Sequence, residues 1–165
     1  MIFKNLPFGS IDSLNVLVEI PAGSSNKYEY DEKLQEIVLD YVFPDNFCFP
    51  FSYGSVAATR AGDGDPLDAV VLSSYPIMSG AVAQVKPIGI LKLKDRGEQD
   101  NKLITVPLCD PLAAKLHDMA DLSVAKQKQI RQFFQEVGRI KKKKMEIEGF
   151  FGRAEAIKEI NNSRE

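Results

Sequence analysis

The stretch "RAGDGDPLDAVV" (residues 60–71) places three aspartates directly before a run of small apolar residues. Pro66 favours an extended conformation at Asp65. Side chains two positions apart on an extended segment project to the same side, so Asp63 and Asp65 face one way, and Asp68 can join them after a turn. Carboxylates that converge in a half-buried place repel one another unless a positive group neutralises them. Ligands that are all oxygen suit magnesium, manganese or calcium rather than zinc, so the stretch predicts a divalent-cation site.

Two other interpretations of these aspartates are a solvated turn and a calcium-binding EF-hand loop. The turn is an ordinary possibility, because Asp, Gly and Pro are common turn residues. An EF-hand loop counted from Asp63 requires Asp or Asn at the fifth position, Gly at the sixth and Glu at the twelfth. The chain has Leu67, Asp68 and Ser74 at these positions, which excludes the EF-hand. The solvated turn stays open on these residues alone.

The composition predicts one domain, residues 1–165, in the cytoplasm. Hydrophobic residues make up 44% of the 165 residues, which is enough for a substantial core and too many for a disordered chain. The formal net charge of −2 gives no general attraction to nucleic acid or to an anionic membrane. Cys48 and Cys109 form no disulfide framework, as expected of a reduced cytoplasmic chain. No apolar run is long enough to span a bilayer.

Strand patterns fill most of the first two-thirds of the chain. "NVLVEIP" (15–21) is rich in β-branched residues, and "NKYEYD" and "EIVLDYVF" resemble the arms of a hairpin across residues 32–35. Further strands are predicted for "LDAVVLSS" (67–74), "GAVAQVKPIGILKLK" (80–94) and "NKLITVPL" (101–108). Pro87 and Gly89 predict a bend or bulge in the longest of these. Short strands in series, with no helices between them, favour a closed or nearly closed barrel.

The last third of the chain changes to a helical period. Ser123 can cap a helix over about 124–142, in which large apolar side chains recur near one face. "KMEIEGF" predicts a strand, and a shorter helix over about 152–162 follows it. Together these elements predict an α+β fold, a small β-barrel with helices packed on one side.

Other charged residues that could join the three aspartates recur along the chain. They are Glu19, Lys27 and Glu29 on predicted strands, and Asp95, Asp100 and Lys102 in "KLKDRGEQDNKLI", around a predicted hairpin loop. Each signal is weak alone, because charged loops and strands that alternate Lys with Glu are usually solvated.

The order of these motifs closely resembles that of the soluble family I inorganic pyrophosphatases of the bacterial type. The matching segments are "VEIP", "NKYEYD", "FPFSYG", "DGDPLD", "SSYPIMSGAV", "KPIGILKLKDRGEQDNKLITVP", "FFQEV" and "EIEGF". They cover nearly the whole chain in order, and "DGDPLD" is the most specific of them. The resemblance implies an OB-like barrel of five strands and an Mg²⁺-dependent hydrolase, with Mn²⁺ as an alternative metal, that splits pyrophosphate into two phosphates. It also implies a homo-oligomer, commonly a hexamer among bacterial relatives of this length.

The resemblance also assigns roles to individual residues. Asp65 would be the general base beside an attacking water whose pKa the metal ions lower. The implied metal-binding residues are Asp63, Asp68, Asp95, Asp100 and Glu29, with Glu19 acting through water. The implied phosphate-binding residues are Lys27, Lys102 and Tyr53.

The sequence departs from the family pattern on the phosphate-binding side. Tyr41 stands where the family has arginine, and Phe49 stands where it usually has tyrosine. Val137 and Gly138 stand where a Tyr-Lys pair normally contacts phosphate. A guanidinium binds phosphate through two hydrogen bonds and stays charged at any relevant pH, and a neutral phenol can do neither.

These departures leave two hypotheses about function. In the first, the chain remains a pyrophosphatase with weaker substrate binding or with replacement groups, for which Tyr41 itself, Arg139 and the lysine run at 141–144 are candidates. A lysine run at a helix end is more typically solvated and favoured by the helix dipole. In the second, the pyrophosphatase activity is weak or lost and the chain acts on or binds another phosphate compound, since each lost charged contact to the transition state costs roughly 10²–10³ in rate. The intact carboxylates favour the first hypothesis.

A nucleic-acid-binding barrel is a third hypothesis. It requires a basic groove with exposed aromatic side chains, whereas this chain is acidic overall and its densest charge cluster is carboxylate. We therefore expect neither a nucleic acid nor a membrane as a partner.

Overall fold

Strands form most of the regular secondary structure in this computed structural model, which describes residues 3–165. The described strands are β1 (Gly9–Ser10), β2 (Ser13–Ile20), β3 (Asn26–Asp31), β4 (Glu36–Val42), β5 (Ser52–Val56), β6 (Asp68–Val71), β7 (Val82–Asp95), β8 (Glu98–Gln99), β9 (Lys102–Pro107) and β10 (Met145–Gly152). The helices are α1 (Val124–Ile140) and α2 (Arg153–Ser163), and short 3-10 turns lie at Phe3–Asn5, Ala113–Lys115 and Met119–Asp121.

Five of the strands close into a barrel in the order β2, β5, β6, β9 and β7, with β7 pairing back onto β2. The neighbours are antiparallel except β6 and β9, which are parallel. In this parallel register Asp68 lies opposite Lys102, so backbone pairing alone places a residue of the acidic stretch beside a lysine. The prediction of an α+β fold built on a five-stranded barrel is confirmed, with α1 and α2 packed against it.

The longest strand, β7, runs through Pro87 and Gly89 without ending there. Its register with β9 shifts between these two residues, which is the bulge that the sequence predicted. A Cβ atom added to Gly89 would lie 2.1 Å from the side chain of Met119, so glycine is required for this close contact. The bulge allows one strand to pair with β2, β9 and β10 along its length.

Strand β5 was missed by the sequence analysis. Gly and Ser weaken a strand pattern, and "SYGSV" contains three such residues. All five residues of β5 are nevertheless buried in the barrel. A Cβ atom on Gly54 would lie 2.0 Å from the carbonyl oxygen of Leu17, so glycine is required for the close approach of β5 to β2.

The hairpin of β3 and β4 forms a separate two-stranded sheet, as predicted. Helix α1 begins after Ser123, whose side-chain oxygen accepts a hydrogen bond from the backbone N–H of Lys126 at 3.2 Å. The helix ends at Ile140, two residues earlier than predicted, because Lys142 adopts a positive φ of 52°. None of the helices formed by the described residues is long and apolar enough to cross a membrane.

Candidate active site

A polar cavity of about 880 Å³ gathers the charged residues that the sequence analysis singled out. It is bordered by the β3–β4 hairpin, the loop before β6, the β7–β8 hairpin and the turn that follows α1. The predicted site residues that line it are Glu19, Lys27, Glu29, Tyr53, Asp63, Asp65, Asp68, Asp95, Asp100 and Lys102. Residues from five separate parts of the chain therefore share one space. We call Asp63, Asp65, Asp68 and Asp100 the acidic cluster.

The loop before β6 is folded by its own hydrogen bonds. The backbone N–H of Asp65 donates to a side-chain oxygen of Asp63 at 3.1 Å, and the N–H of Ala61 donates to the carbonyl oxygen of Asp65 at 2.7 Å. Gly64 has a φ of +92°, a conformation that other residues rarely adopt. Burial raises the pKa of Asp65, and the nearby charges of Asp63 and Asp68 raise it further. The loop thus holds a carboxyl group whose pKa is moved upward, as a general base requires.

Lys102 is the buried cation of the acidic cluster. Its side chain is only 6% exposed, and its Nζ lies 2.5 Å from Asp68 Oδ2 and 2.5 Å from Asp100 Oδ1. Burial alone would lower the pKa of Lys102, but the two carboxylates outweigh this effect and raise it, so the lysine is charged at neutral pH. For Asp100 burial is the largest effect, and with Asp68 and Asp63 it raises the pKa despite Lys102. The cluster therefore holds more negative charge than one lysine neutralises.

Tyr53 lies beside this lysine. The Lys102 Nζ is 5.9 Å from the centre of the Tyr53 ring. Burial, followed by the charges of Asp68 and Asp100, raises the pKa of Tyr53 well above its ordinary value. The phenol is therefore neutral at neutral pH and can donate a hydrogen bond.

Glu19 is buried under the cavity floor. The register between β2 and β5 shifts between Val18 and Ile20, and this irregularity frees Glu19 from the regular ladder. Its carboxylate accepts hydrogen bonds from the N–H of Tyr30 at 2.9 Å and from the hydroxyl of Ser55 at 3.2 Å. Burial, as the largest cause, raises the pKa of Glu19 to about 7.

The acidic cluster fits a hard cation by its chemistry. It offers carboxylate oxygens, the ligands that Mg²⁺ prefers, and burial together with repulsion among the carboxylates raises the pKa values of Asp65 and Asp100. Within residues 3–165, no three Asp, Glu, His or Cys side chains are already arranged around one point as a finished metal site. Asp68 and Asp100 instead close around Lys102. The residues fit a divalent cation that would have to share these carboxylates with the lysine.

The β7–β8 hairpin contributes Asp95, which pairs with a lysine that the sequence analysis did not single out by itself. Lys143 Nζ lies 2.5 Å from Asp95 Oδ2, and the two side chains are 14% and 15% exposed. Burial would raise the pKa of Asp95, but Lys143 and Arg96 outweigh it and hold the pKa below its ordinary value. Asp95 is therefore ionised at neutral pH.

The other lysines of the cavity lie together. Lys27 forms ion pairs with Glu29 and, at 2.7 Å, with Asp40. Lys141 lines the same cavity, and its pKa is lowered by burial and then by the nearby charges of Lys27 and Lys143. We call Lys27, Lys141 and Lys143 the lysine cluster.

The predicted replacement Arg139 lies outside the cavity. Its side chain is 72% exposed and forms an ion pair with Glu136 on the same helix. Tyr41 also does not line the cavity, although its half-buried ring lies under Lys141 at 5.0 Å from the Nζ. Arg139 is therefore not a replacement group in the cavity, whereas Lys141 and Lys143, from the lysine run that was expected to be solvated, do line it.

The other three departures from the family pattern, Phe49, Val137 and Gly138, contribute to packing and present no polar side chain to the cavity. Phe49 is 4% exposed, and its ring centre lies 4.6 Å from that of Phe133. Val137 is a buried part of the cavity wall. A Cβ atom on Gly138 would lie 2.8 Å from the Cβ atom of Met145, so glycine is required where α1 meets β10.

The sequence analysis did not assign six charged residues of the cavity individually, which are Glu32, Asp40, Arg96, Glu98, Lys141 and Lys143. Asp40 could have been found from the strand pattern, because it lies on the arm of the hairpin that faces Lys27. The two lysines gave no signal of their own, because the run from 141 to 144 shows four identical residues and only the fold separates them.

Comparisons with known proteins identify relatives over nearly the whole chain. A family model described as inorganic pyrophosphatase matches residues 16–165. The inorganic pyrophosphatase of Thermoplasma volcanium is 37% identical over 156 residues, which cover 93% of this chain and 92% of that protein. That of Thermus thermophilus is 36% identical over 162 residues, which cover 95% and 93%.

Solved structures give the same result for the fold. A crystal structure of inorganic pyrophosphatase from Thermus thermophilus matches with a TM-score of 0.91 at 35% identity, covering 98% of this chain and 95% of that one. A crystal structure of an inorganic pyrophosphatase from Neisseria gonorrhoeae gives a TM-score of 0.92 at 33% identity, with coverage of 99% and 96%. Sequence and structure therefore indicate the same relatives over nearly the entire chain.

Proposed function

The chain belongs to the inorganic pyrophosphatase family, and from this premise we infer that it hydrolyses pyrophosphate to two phosphates. The observation that carries the inference is that all ten residues assigned to the site line one cavity. Among the hypotheses weighed, hydrolysis of pyrophosphate is also the one that explains why carboxylates and lysines share that cavity. The family is metal-dependent, and the acidic cluster supplies the oxygen ligands for this chemistry.

We propose that Asp65 is the general base. Hydrolysis forms a bond between the oxygen of a water and one phosphorus and breaks the bond from that phosphorus to the bridging oxygen. The water loses a proton in this step, and in this proposal the carboxylate of Asp65 accepts it. Its raised pKa makes it a better proton acceptor than an ordinary aspartate, and the half-exposed loop leaves it open to the cavity.

We propose Mg²⁺, with Mn²⁺ as the alternative, as the metal. Asp63, Asp68 and Asp100 would hold it beside Asp65, with Asp95 and Glu29 as further ligands and Glu19 acting through water. When bound, the metal neutralises the charge of pyrophosphate and lowers the pKa of water. The chain's own contribution is to fix the carboxylates, since Asp68 is held by the ladder of β6 and β9 and Asp63 by the loop hydrogen bond to Asp65.

The phosphate oxygens would be bound by Lys102, Lys27 and Tyr53. Lys102 is charged and buried, and the Tyr53 hydroxyl is neutral, so both can donate to an anion from buried positions in the cavity wall. Lys27 stands at the hairpin side of the cavity. These donors would stabilise the negative charge that moves to the bridging oxygen as the bond breaks.

We also propose that residues 1–165 form one domain, that the protein acts in the cytoplasm, and that it assembles as a homo-oligomer, a hexamer by resemblance. The light-scattering mass of the purified chain at micromolar concentration tests the last point. A mass of six times the 18.4 kDa of one chain supports the hexamer, and a mass of one chain contradicts it.

The activity is tested by measuring phosphate release from pyrophosphate, tripolyphosphate, ATP and p-nitrophenyl phosphate, each with Mg²⁺ and with EDTA. Pyrophosphate should be the preferred substrate by at least a hundredfold in kcat/KM, and EDTA should abolish the reaction. If another of these compounds is preferred, the second hypothesis is correct, and the fold serves a different phosphate substrate.

A further inference from the structure

The turn after α1 separates the four lysines of residues 141–144 into two kinds. Lys141 and Lys143 line the cavity, whereas Lys142 and Lys144 are exposed to solvent. The separation follows from a helix-ending motif in which the N–H of Lys143 donates to the carbonyl oxygen of Gly138 at 3.0 Å and Lys142 adopts a positive φ. Because Gly138 has no side chain, the turn can fold back closely against it.

The side chain of Lys141 is supported by an aromatic ring. Its Nζ lies 5.0 Å from the centre of the Tyr41 ring, a distance at which an ammonium is attracted to the ring face. Tyr41 in turn lies opposite Lys27 in the register of β3 and β4. The ring therefore holds the ammonium of Lys141 on the side of the cavity to which Lys27 belongs.

Lys141 differs from the other lysines of the cavity in having no carboxylate partner. Lys27, Lys102 and Lys143 each form an ion pair with at least one Asp or Glu. Among the described residues no Asp or Glu forms an ion pair with the Lys141 Nζ, although Lys27, Lys143, Asp40 and Glu29 all lie near enough to affect it. Burial lowers the pKa of Lys141 first, the two lysines lower it further, and the two carboxylates offset only part of this. A cation that is partly buried and crowded by like charge is stabilised by an anion.

We propose that Lys141, supported by the ring of Tyr41, is a substrate-binding residue that contacts the phosphate group of pyrophosphate farther from the acidic cluster. Tyr41 is a positioning residue in this arrangement, since its own hydroxyl does not line the cavity. The inference rests on the proposed function and names one further residue of the same site. It also gives a physical role to the aromatic residue at position 41.

The test compares Lys141→Met with Lys144→Met. The two substitutions remove the same charge from the same turn, but Lys144 is 74% exposed, pairs with Glu146 and lies outside the cavity. The readouts are KM and kcat for Mg²⁺-pyrophosphate, and the Kd of methylenediphosphonate, a pyrophosphate analogue that is not hydrolysed, by titration calorimetry with Mg²⁺ present.

Lys141→Met should weaken binding of the analogue roughly ten- to a hundredfold, as expected for one charged hydrogen bond, and should raise KM more than it lowers kcat. Lys144→Met should stay within twofold of the natural chain in both. Lys141→Arg should recover most of the loss, because a charge is restored. Equal affinities of Lys141→Met and Lys144→Met for the analogue would overturn the proposal. Thermal unfolding is followed for each variant, and Lys141→Gln replaces Lys141→Met if that variant unfolds early.

Two further variants test the ring. Tyr41→Leu should weaken analogue binding by several-fold, and Tyr41→Phe should weaken it less, because the ring face and not the hydroxyl supports the ammonium. Tyr41→Leu should add little in the Lys141→Met background, and a full additive loss would overturn the positioning role. A natural chain that binds the analogue but releases no phosphate would contradict the proposed hydrolysis and leave the role of Lys141 in binding to be decided by the same titration.

Discussion

The acidic cluster and the lysine cluster face the same cavity but are held in place by different means. Asp68 and Lys102 are fixed by pairing of barrel strands, and Asp63 and Asp65 by a short hydrogen-bonded loop. Lys141, by contrast, depends on a helix end and on one aromatic ring. In the proposed site, the carboxylates and Lys102 are therefore fixed by the barrel and its loops, whereas Lys141 depends on the turn after α1 and on the ring of Tyr41.

The largest effect should come from breaking the acidic cluster. Asp68→Asn preserves the shape of the side chain but removes a predicted metal ligand and one of the two partners of Lys102. We expect kcat for pyrophosphate with Mg²⁺ to fall roughly 10³-fold, comparable to the loss of a group that stabilises a transition state. Steady-state phosphate release measures it. Asp118→Asn, an aspartate outside the cavity, is the matched control. A loss of less than tenfold at Asp68 would mean that the cluster is not the centre of the chemistry.

The next largest effect is expected on stability, at Lys102, which pairs with Asp68 and Asp100 when no metal is bound. Lys102→Met leaves Asp68 and Asp100 without their shared cation, and loss of one partner of a buried ion pair costs about 3–5 kcal/mol. Urea unfolding in EDTA should show this loss. Mg²⁺ should then raise the unfolding midpoint of Lys102→Met by more than it raises that of the natural chain, because the metal has no lysine to compete with. Equal shifts for the two proteins would contradict a shared set of carboxylates.

The buried carboxyl beneath the cavity gives a prediction about pH. The pKa of Glu19 is about 7 in the folded protein, compared with 4.5 in the unfolded chain. Between these values the folded state retains a proton that the unfolded state releases, so the stability that Glu19 confers is present at low pH and is lost as the pH rises through 7. At about 1.4 kcal/mol per pKa unit, the loss approaches about 3 kcal/mol.

Glu19→Gln removes this dependence and serves as the comparison. Urea unfolding in EDTA at pH 5 and at pH 8 should show the natural chain losing stability relative to Glu19→Gln as the pH rises. A difference between the two proteins that is the same at both pH values would show that Glu19 is not protonated in the folded state.

A smaller effect tests whether a lysine fits at position 138, where the family pattern has one. Gly138→Lys restores the family residue, but its Cβ atom would lie 2.8 Å from that of Met145. We expect a loss of stability of about 1–3 kcal/mol, as for other overpacked sites, and no gain in affinity for pyrophosphate. Met145→Gly in the same chain removes that Cβ atom, so the double variant should lose less stability than the sum of the two single substitutions. Tighter pyrophosphate binding by a fully stable Gly138→Lys would show that the turn accommodates a lysine at position 138.

The smallest effect is expected at Arg139. Its side chain is 72% exposed and pairs with Glu136 outside the cavity. Arg139→Met should therefore change kcat/KM for pyrophosphate by less than twofold. A tenfold loss in phosphate release would restore Arg139 as a substrate contact and weaken the case for Lys141.

The acidic cluster could be predicted from the sequence because its members are close along the chain or sit in a motif whose order is specific. "DGDPLD" contains three of its four aspartates. The fourth, Asp100, lies two residues before Lys102, the first residue of β9. Lys27 was predicted from its motif, but Lys141 and Lys143 could not be singled out from the lysine run, because the direction of each side chain depends on where α1 ends. One position along a helix turns the side chain by about 100°, so Arg139, adjacent to the site in sequence, lies on a different side.

The sequence analysis missed strand β5 for a similar reason, since a tertiary contact decides one of its residues. Gly54 weakens the strand pattern but is required by the distance between β5 and β2, which no local pattern shows. Likewise, the positive φ of Lys142 that ends α1 occurs at a residue type that gives no warning of it. Local patterns predict elements well where side chains alternate, and they fail where a backbone contact decides the residue.

The central claim is that the carboxylates of the DGDPLD loop carry out metal-dependent hydrolysis of pyrophosphate. The most direct measurement is phosphate release from pyrophosphate at neutral pH, with Mg²⁺ or EDTA, by the natural chain and by Asp65→Asn. The account predicts release that requires Mg²⁺ and that falls about 10²–10⁴-fold in Asp65→Asn, the range for loss of a general base. Release by the natural chain that does not exceed that of Asp65→Asn, with Mg²⁺ or Mn²⁺, would contradict it.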